Sequence, residues 1–267
     1  MTRIPAKTVP VDDVTLAYRE SGSGYPVVFI NGLGSTMDMW NPPILKKISR
    51  YFRVIIFDNR GTGYSSASDK LFSIPLFARD TATLMDALGI SSAHIIGLSM
   101  GASIAQELAI SFPEKVNRLI LVAGECGGSE SERMQPEILA RLMDKSGTMN
   151  DVINRMFSLL FPRSWLATHD PSRYCPEVFE TTDDKIVARQ SAAFFRWTGS
   201  FSRLGEICPP TLVINGTEDV IVPPVNSRIL SRRIPGAELV EIMGAGHGLM
   251  YQFPDQFSDC VLRFLDH

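Results

Sequence analysis

The stretch "AHIIGLSMGASIAQELA" (Ala93–Ala109) changes character at its midpoint. "AHIIGLS" is apolar and β-branched, as a buried strand is, whereas "MGASIAQELA" is small and helix-forming. The two meet without a loop at Gly97-Leu98-Ser99-Met100-Gly101, a G-x-S-x-G sequence. A strand that turns directly into a helix lifts the corner serine above the carboxyl edge of a sheet. The flanking glycines permit the close packing that such a corner needs. The free N–H groups of the helix's first turn then face any negative charge that develops at Ser99.

A serine hydroxyl is a poor nucleophile near neutral pH. It needs a base within reach, and the base needs an orienting acid. The chain has four histidines. His94 lies inside the strand and suits a core or edge position, His169 lies in a helical region, and His267 is the last residue. His247 sits in "MGAGHGLM", a glycine-rich loop after the last strand pattern, and is the expected base. Asp219, in "VINGTEDVIVPP", follows another strand and is the expected acid. Glu125, at the end of "LILVAG", is the rival. The order serine, aspartate, histidine suits this architecture. An oxyanion hole needs two N–H donors. They are expected from Met100, after the nucleophile, and from Leu33 in "NGLGS" (Asn31–Ser35).

Outward from this corner, strand and helix patterns alternate. "KTVPVDDVTLAYRESGSG" reads as a hairpin turning at Asp12-Asp13. "PVVFING", "RVIIFDNRGTG" and "NRLILVAG" read as buried strands, as do "PTLVINGTED" and "AELVEIMGAGHG". "STMDMWNPPILKKISRYF", "SIPLFARDTATLMDALGI", "VPPVNSRILSRRIPG" and "PDQFSDCVLRFLDH" read as helices. The alternation implies an α/β fold with a mostly parallel sheet covered by helices on both faces. Between about Glu125 and Gly205 the rhythm breaks. "MQPEILARLMDKSG", "NDVINRMFSLLF" and "DDKIVARQSAAFFRW" are helical with no strand between them. The expected organisation is a core of residues 1–124 and 206–267 with a helical cap at 125–205.

The chain has 267 residues, 45% hydrophobic and 21% charged, which is enough for a large buried core. A net charge of −3 gives no basic surface for nucleic acid or an anionic membrane. No signal-like apolar segment opens the chain and no 18-residue apolar run occurs, so a cytoplasmic protein is expected. Cys126, Cys175, Cys208 and Cys260 are widely spaced with no C-x-x-C, so neither a disulfide framework nor a zinc site is expected. No metal or cofactor is required.

"NGLG", "DNRGTGYS", "GLSMG", "NGTEDVIVP" and "GAGHG", in that order, resemble the α/β-hydrolase fold family, in its serine hydrolase branch. The resemblance covers nearly the whole chain. It implies an eight-stranded, mostly parallel sheet with a helical cap inserted after strand six. Many members carry His-Gly at the oxyanion loop, where this chain has Asn31-Gly32, and "NGLGSTMDMW" is closest to the 3-oxoadipate enol-lactonase branch. Ala102 stands where relatives often have a further glycine. Dehalogenases and epoxide hydrolases of this fold use a carboxylate nucleophile, which Ser99 argues against.

The expected activity is hydrolysis of a small to medium carboxylic ester or lactone through an acyl-enzyme on Ser99. Other chemistry on the same triad (C–C hydrolysis, peracid formation, cyanohydrin lysis) and a non-catalytic binder are the alternatives. Substrate contacts are expected from the cap, with Phe157 and Trp197 as candidates among its apolar side chains. Cys126 is a candidate at the pocket mouth, and Trp40 faces either core or pocket. Seven arginines between Arg133 and Arg196 could meet a substrate carboxylate. The expected partner is a small-molecule ester or lactone, with no nucleic acid or membrane; the oligomeric state is left open, a homodimer being one option.

Overall fold

The computed structural model describes residues 5–266. Met1–Ile4 and His267 lie outside the described residues. Eight strands form one sheet in the order β1-β2-β4-β3-β5-β6-β7-β8. They are β1 (Lys7–Val11), β2 (Val14–Ser21), β3 (Pro26–Ile30), β4 (Arg53–Phe57), β5 (Ala93–Leu98), β6 (Val116–Val122), β7 (Thr211–Gly216) and β8 (Glu238–Ile242). β2 runs antiparallel to both neighbours, and every pairing from β4 to β8 is parallel. The hairpin turns at Asp12, which takes φ 49°.

Side chains alternate across the pleat, so each central strand serves both faces. Val28, Ile30, Ile95, Leu119, Leu121 and Val213 point to one apolar layer. It is closed by α2 (Ile74–Ala87), α3 (Met100–Ser111) and α8 (Pro224–Arg233). Val27, Phe29, Ile96, Ile120, Val122 and Ile214 point to the other, closed by α1 (Pro42–Ile48) and α10 (Pro254–Asp266). Local chemistry sets the helix ends. Ser73 caps α2 through the Leu76 amide, and Gly89 follows it at φ 68°. Pro42 and Pro43 open α1, where a missing N–H costs no helical bond.

Between β6 and β7 the chain forms only helices: α4 (Pro136–Met143), α5 (Met149–Leu160), α6 (Arg163–Leu166), α7 (Asp184–Arg196) and two 3₁₀ turns. A capping box between Thr148 and Asp151 opens α5. α9 (Leu249–Gln252) lies between β8 and α10. α6 and α9 each have four residues, too short to show a helical period in sequence.

Chain order reverses at β3. Its successor β4 lies on one side of it and β5 on the other, so the loops after β3 and β5 diverge from adjacent strands. A crevice forms at such a switch point, at the carboxyl ends of the strands. "NGLGS" and Ser99 occupy its two sides.

His94, on β5, is buried between the rings of Tyr25 and Phe52, with centroids 4.8 Å and 5.6 Å away. Burial, with a smaller contribution from Arg118, lowers its pKa to about 4. Its folded pKa lies below the unfolded value, so its contribution is full above about pH 6.5 and is lost as pH falls towards 4. Burial of Asp58 raises its carboxyl to about 6, an effect of opposite sign in the same window. Comparison with His94→Leu isolates the histidine. Urea unfolding at pH 7 and pH 4 is expected to show the wild type losing about 2–3 kcal/mol more than the variant. Equal losses would show that His94 does not titrate as a buried base.

Candidate active site

Ser99 stands between β5 and α3 at φ 56°, ψ −120°. A non-glycine residue held there is strained by about 1–3 kcal/mol. Packing holds it in place. The Ser99 amide donates to Val122 O at 2.9 Å, and its carbonyl accepts the Ala102 amide at 2.8 Å. A Cβ on Gly97 would lie 2.3 Å from Gly101 O, and one on Gly101 would lie 2.2 Å from Ile30 O. Both glycines of G-x-S-x-G are therefore steric requirements. The methyl of Ala102 fits because Gly124 faces it, where a Cβ would lie 2.5 Å from that of Ala102.

Across the crevice, Gly32 brings the loop after β3 against the serine. A Cβ there would be 3.2 Å from Ser99 Cβ and 3.8 Å from Ser99 Oγ. Asn31 holds this loop to the next strand. Its Nδ2 donates to Phe57 O at 2.9 Å, and its carbonyl accepts from Asn59 Nδ2 at 3.2 Å. The amides of Gly34 and Ser35 are used internally, by Gln190 Oε1 and Gly32 O. The Leu33 amide directly precedes them. The Met100 amide opens α3 and has no intrahelical acceptor. Leu33 and Met100, the donors expected from sequence, lie on the two segments that Gly32 and Ser99 bring together.

Asp219 follows β7 and is buried, 4% exposed. One carboxylate oxygen accepts the amides of Ile221 and Val222, at 2.9 Å and 2.8 Å, and the other accepts from His247 Nδ1 at 2.8 Å. That partner assigns the ring proton to Nδ1 and leaves Nε2 with a lone pair. The rival Glu125 is paired instead with Arg133, and burial raises its pKa. His169 stacks on Trp165 in the helical insertion, centroids 4.5 Å apart.

The loop bearing His247 is fixed at several points. Gln252 accepts the Gly246 amide at 2.7 Å and donates to Gly244 O at 3.3 Å. The Gly248 amide donates to Leu160 O at 2.8 Å, at the end of α5. Beyond it, Asn41 Nδ2 donates to Met250 O at 3.1 Å and the Tyr251 hydroxyl donates to Met39 O at 2.6 Å. Asn41 and Met39 belong to the connection after β3. The chain leaving β8 is therefore tied, just beyond His247, to the connection after β3. No sequence pattern marks Gln252, Asn41 or Tyr251 as supports of this loop, or Asn31 as a support of the loop after β3. Asn41, Tyr251 and Asn31 act between distant segments, which leave no local pattern, whereas Gln252 bonds within its own loop.

The expected substrate contacts occupy varied places. Trp40 is 2% exposed and packs edge-on against Phe29, within the layer closed by α1. Trp197 donates to Glu107 Oε1 at 2.7 Å and packs against Gly127 at the root of the insertion. Cys126 is fully buried beside Ser131, and burial pushes its thiol up, away from thiolate chemistry. Phe157, on α5, is half-buried with its ring 6.0 Å from that of Phe161. Several of the arginines are engaged elsewhere: Arg155 with Asp144, Arg173 with Asp170, and Arg189 with the Ser68 and Lys70 carbonyls. Among the described residues no group of three His, Cys, Asp or Glu side chains could hold a metal ion. Among the described residues no helix is long and apolar enough to cross a membrane.

The chain belongs to the α/β hydrolase fold family, whose model matches residues 25–254. It is 30% identical to the protein named "Putative carbamate hydrolase RutD" of Azorhizobium caulinodans, over 94% of this chain and 95% of that one. It is 29% identical to the "Putative non-heme bromoperoxidase BpoC" of Mycobacterium tuberculosis, over 94% and 97%. The solved enol-lactonase of Burkholderia xenovorans superposes with a TM-score of 0.83 at 27% identity, covering 98% of this chain and all of that one. The neighbourhood is that of hydrolases and their relatives.

Because Ser99 is held in a conformation open to glycine, Ser99→Gly is expected to raise the melting temperature, by the equivalent of about 1–3 kcal/mol. Calorimetry of the two proteins checks this. An unchanged or lower value would mean that the elbow stores no strain.

Proposed function

We propose that the protein is a serine hydrolase that cleaves small to medium carboxylic esters or lactones through an acyl-enzyme on Ser99. The observation that carries this reading is the 2.8 Å bond from His247 Nδ1 to Asp219, on a loop that then runs to the connection after β3. The other ring nitrogen, Nε2, serves Ser99 in this reading.

In this reading Nε2 takes the Ser99 proton as Oγ attacks the carbonyl carbon. Asp219 keeps the ring in its tautomer and stabilises the imidazolium that forms. The Leu33 and Met100 amides receive the oxyanion. His247 then gives its proton to the departing alcohol. It next takes one from water, which attacks the acyl-enzyme and frees the acid and Ser99. The half-buried Phe157 and its apolar neighbours on α5 favour an apolar or aromatic acyl group. Carbamates undergo the same acyl transfer, and the relative named as a carbamate hydrolase places them in the same panel.

The test is hydrolysis of p-nitrophenyl esters from C2 to C10 and of a p-nitrophenyl carbamate, with Ser99→Ala and Asp219→Asn alongside. Turnover in the wild type is expected to fall at least 10⁴-fold in Ser99→Ala and about 10³- to 10⁴-fold in Asp219→Asn. Turnover that persists in Ser99→Ala would remove the serine from the mechanism. Turnover of C–C or cyanohydrin substrates alone would move the protein to another chemistry, and none at all to a binder.

A further inference from the structure

Gln190 lies on α7 and is completely buried. Its Oε1 accepts the Gly34 amide at 2.8 Å. Since Gly34 offers a donor, the oxygen end of the side-chain amide must face it. The other end, Nε2, carries two hydrogens, is buried, and has no acceptor among the described residues. A buried donor left unpaired is costly and uncommon in folded proteins.

The position of this orphan is well defined. The oxygen and nitrogen of one planar amide are about 2 Å apart, which puts Nε2 within about 5 Å of the Gly34 nitrogen. The next residue back is Leu33, and the one before it, Gly32, abuts Ser99. α7 is fixed in rotation at the same place. Val187 packs on Gly34 and Ile186 on Gly61, while Arg189 donates at 2.7 Å to both Ser68 O and Lys70 O. Gln190 is thus held against the oxyanion loop by its own helix as well as by its own bond.

We infer that Gln190 Nε2 donates a hydrogen bond to a second oxygen in the acyl part of the substrate, close to the scissile carbonyl. It is a specificity-determining residue that selects oxygen-bearing acyl groups over wholly apolar ones. The acyl part stays at the oxyanion loop through both half-reactions, so a donor built beside that loop meets it in each. This inference rests on the acyl-transfer reading above. A site built to hydrogen-bond a substrate oxygen discriminates strongly against an analogue lacking it, because the site's own polar group is left unpaired.

The methoxyacetyl group matches the butyryl group with an oxygen in place of one methylene. The ratio of kcat/KM for p-nitrophenyl methoxyacetate and butyrate is measured for the wild type, Gln190→Met and Gln190→Glu. Comparing ratios between proteins cancels the intrinsic reactivities of the two esters. Gln190→Glu keeps an acceptor for the Gly34 amide and lacks the NH₂ donor, whereas Gln190→Met lacks both. The ratio is expected to fall about tenfold or more in both variants. If Gln190 only clamps the loop, the two esters fall together and the ratio holds, which overturns the inference.

A binding measurement decides the same point without turnover. Methoxyacetate is expected to raise the melting temperature of the wild type more than butyrate does, and equally in Gln190→Met. Equal shifts in the wild type overturn the inference. Absence of turnover of both esters would instead sink the acyl-transfer reading, with the melting shifts still deciding whether Gln190 recognises oxygen.

Discussion

Ser99 is held at φ 56° because three backbone segments meet too closely for any other arrangement. Gly97 lies against Gly101, and Gly101 lies against the carbonyl of Ile30 at the end of β3. A side chain at either glycine would have to displace backbone, not a flexible neighbour. The same packing that strains the serine sets β5, α3 and β3 in register at the sheet edge. The oxyanion loop follows directly from β3, so its approach to Ser99 is fixed by the elbow itself. The local cost is carried by a well-buried part of the molecule, where Ile95 and Ile96 on β5 and Leu119, Ile120, Leu121 and Val122 on β6 are enclosed.

The connection after β4 supports the other side of this arrangement. Arg60 is fully buried, yet its five N–H donors make five bonds. Two go to Asp80 at 2.7 Å, two to Asp13 at 3.1 Å and 3.3 Å, and one to Ser68 at 2.9 Å. A buried guanidinium is tolerated when its fork is matched in this way, and removal of one partner would leave a buried charge exposed to the other's absence. The network stiffens residues 58–68, onto which α7 docks through Ile186 and Arg189. The helical insertion is therefore fastened at two ends of the crevice: by α7 to the loops after β3 and β4, and by Leu160 to the histidine loop.

Much of this was legible in the chain. The strands were readable because a parallel sheet buried on both faces demands continuous apolar runs, and "PVVFI", "RVIIF", "AHIIGL" and "TLVING" are such runs. The elbow was readable because steric necessity leaves glycines at fixed offsets. The place of Asp219 beyond a strand and the chain order serine, aspartate, histidine favour it over Glu125. The structure separates them by partners, His247 for one and Arg133 for the other. Trp40, Trp197 and Cys126 were less legible. Large apolar side chains suit a core and a pocket equally, and their composition does not say which they fill.

The sequence by itself determined what short-range physics controls: strand and helix identity, the strained corner at Ser99, and the succession of serine, aspartate and histidine after three different strands. Only the tertiary structure decided which face of each helix in the insertion turns inward. Gln190 meets Gly34 across 156 positions of chain, and Asn41 meets Met250 across 209. Such contacts depend on how whole elements pack, and side chains at one helical spacing look alike until the surface they meet is known.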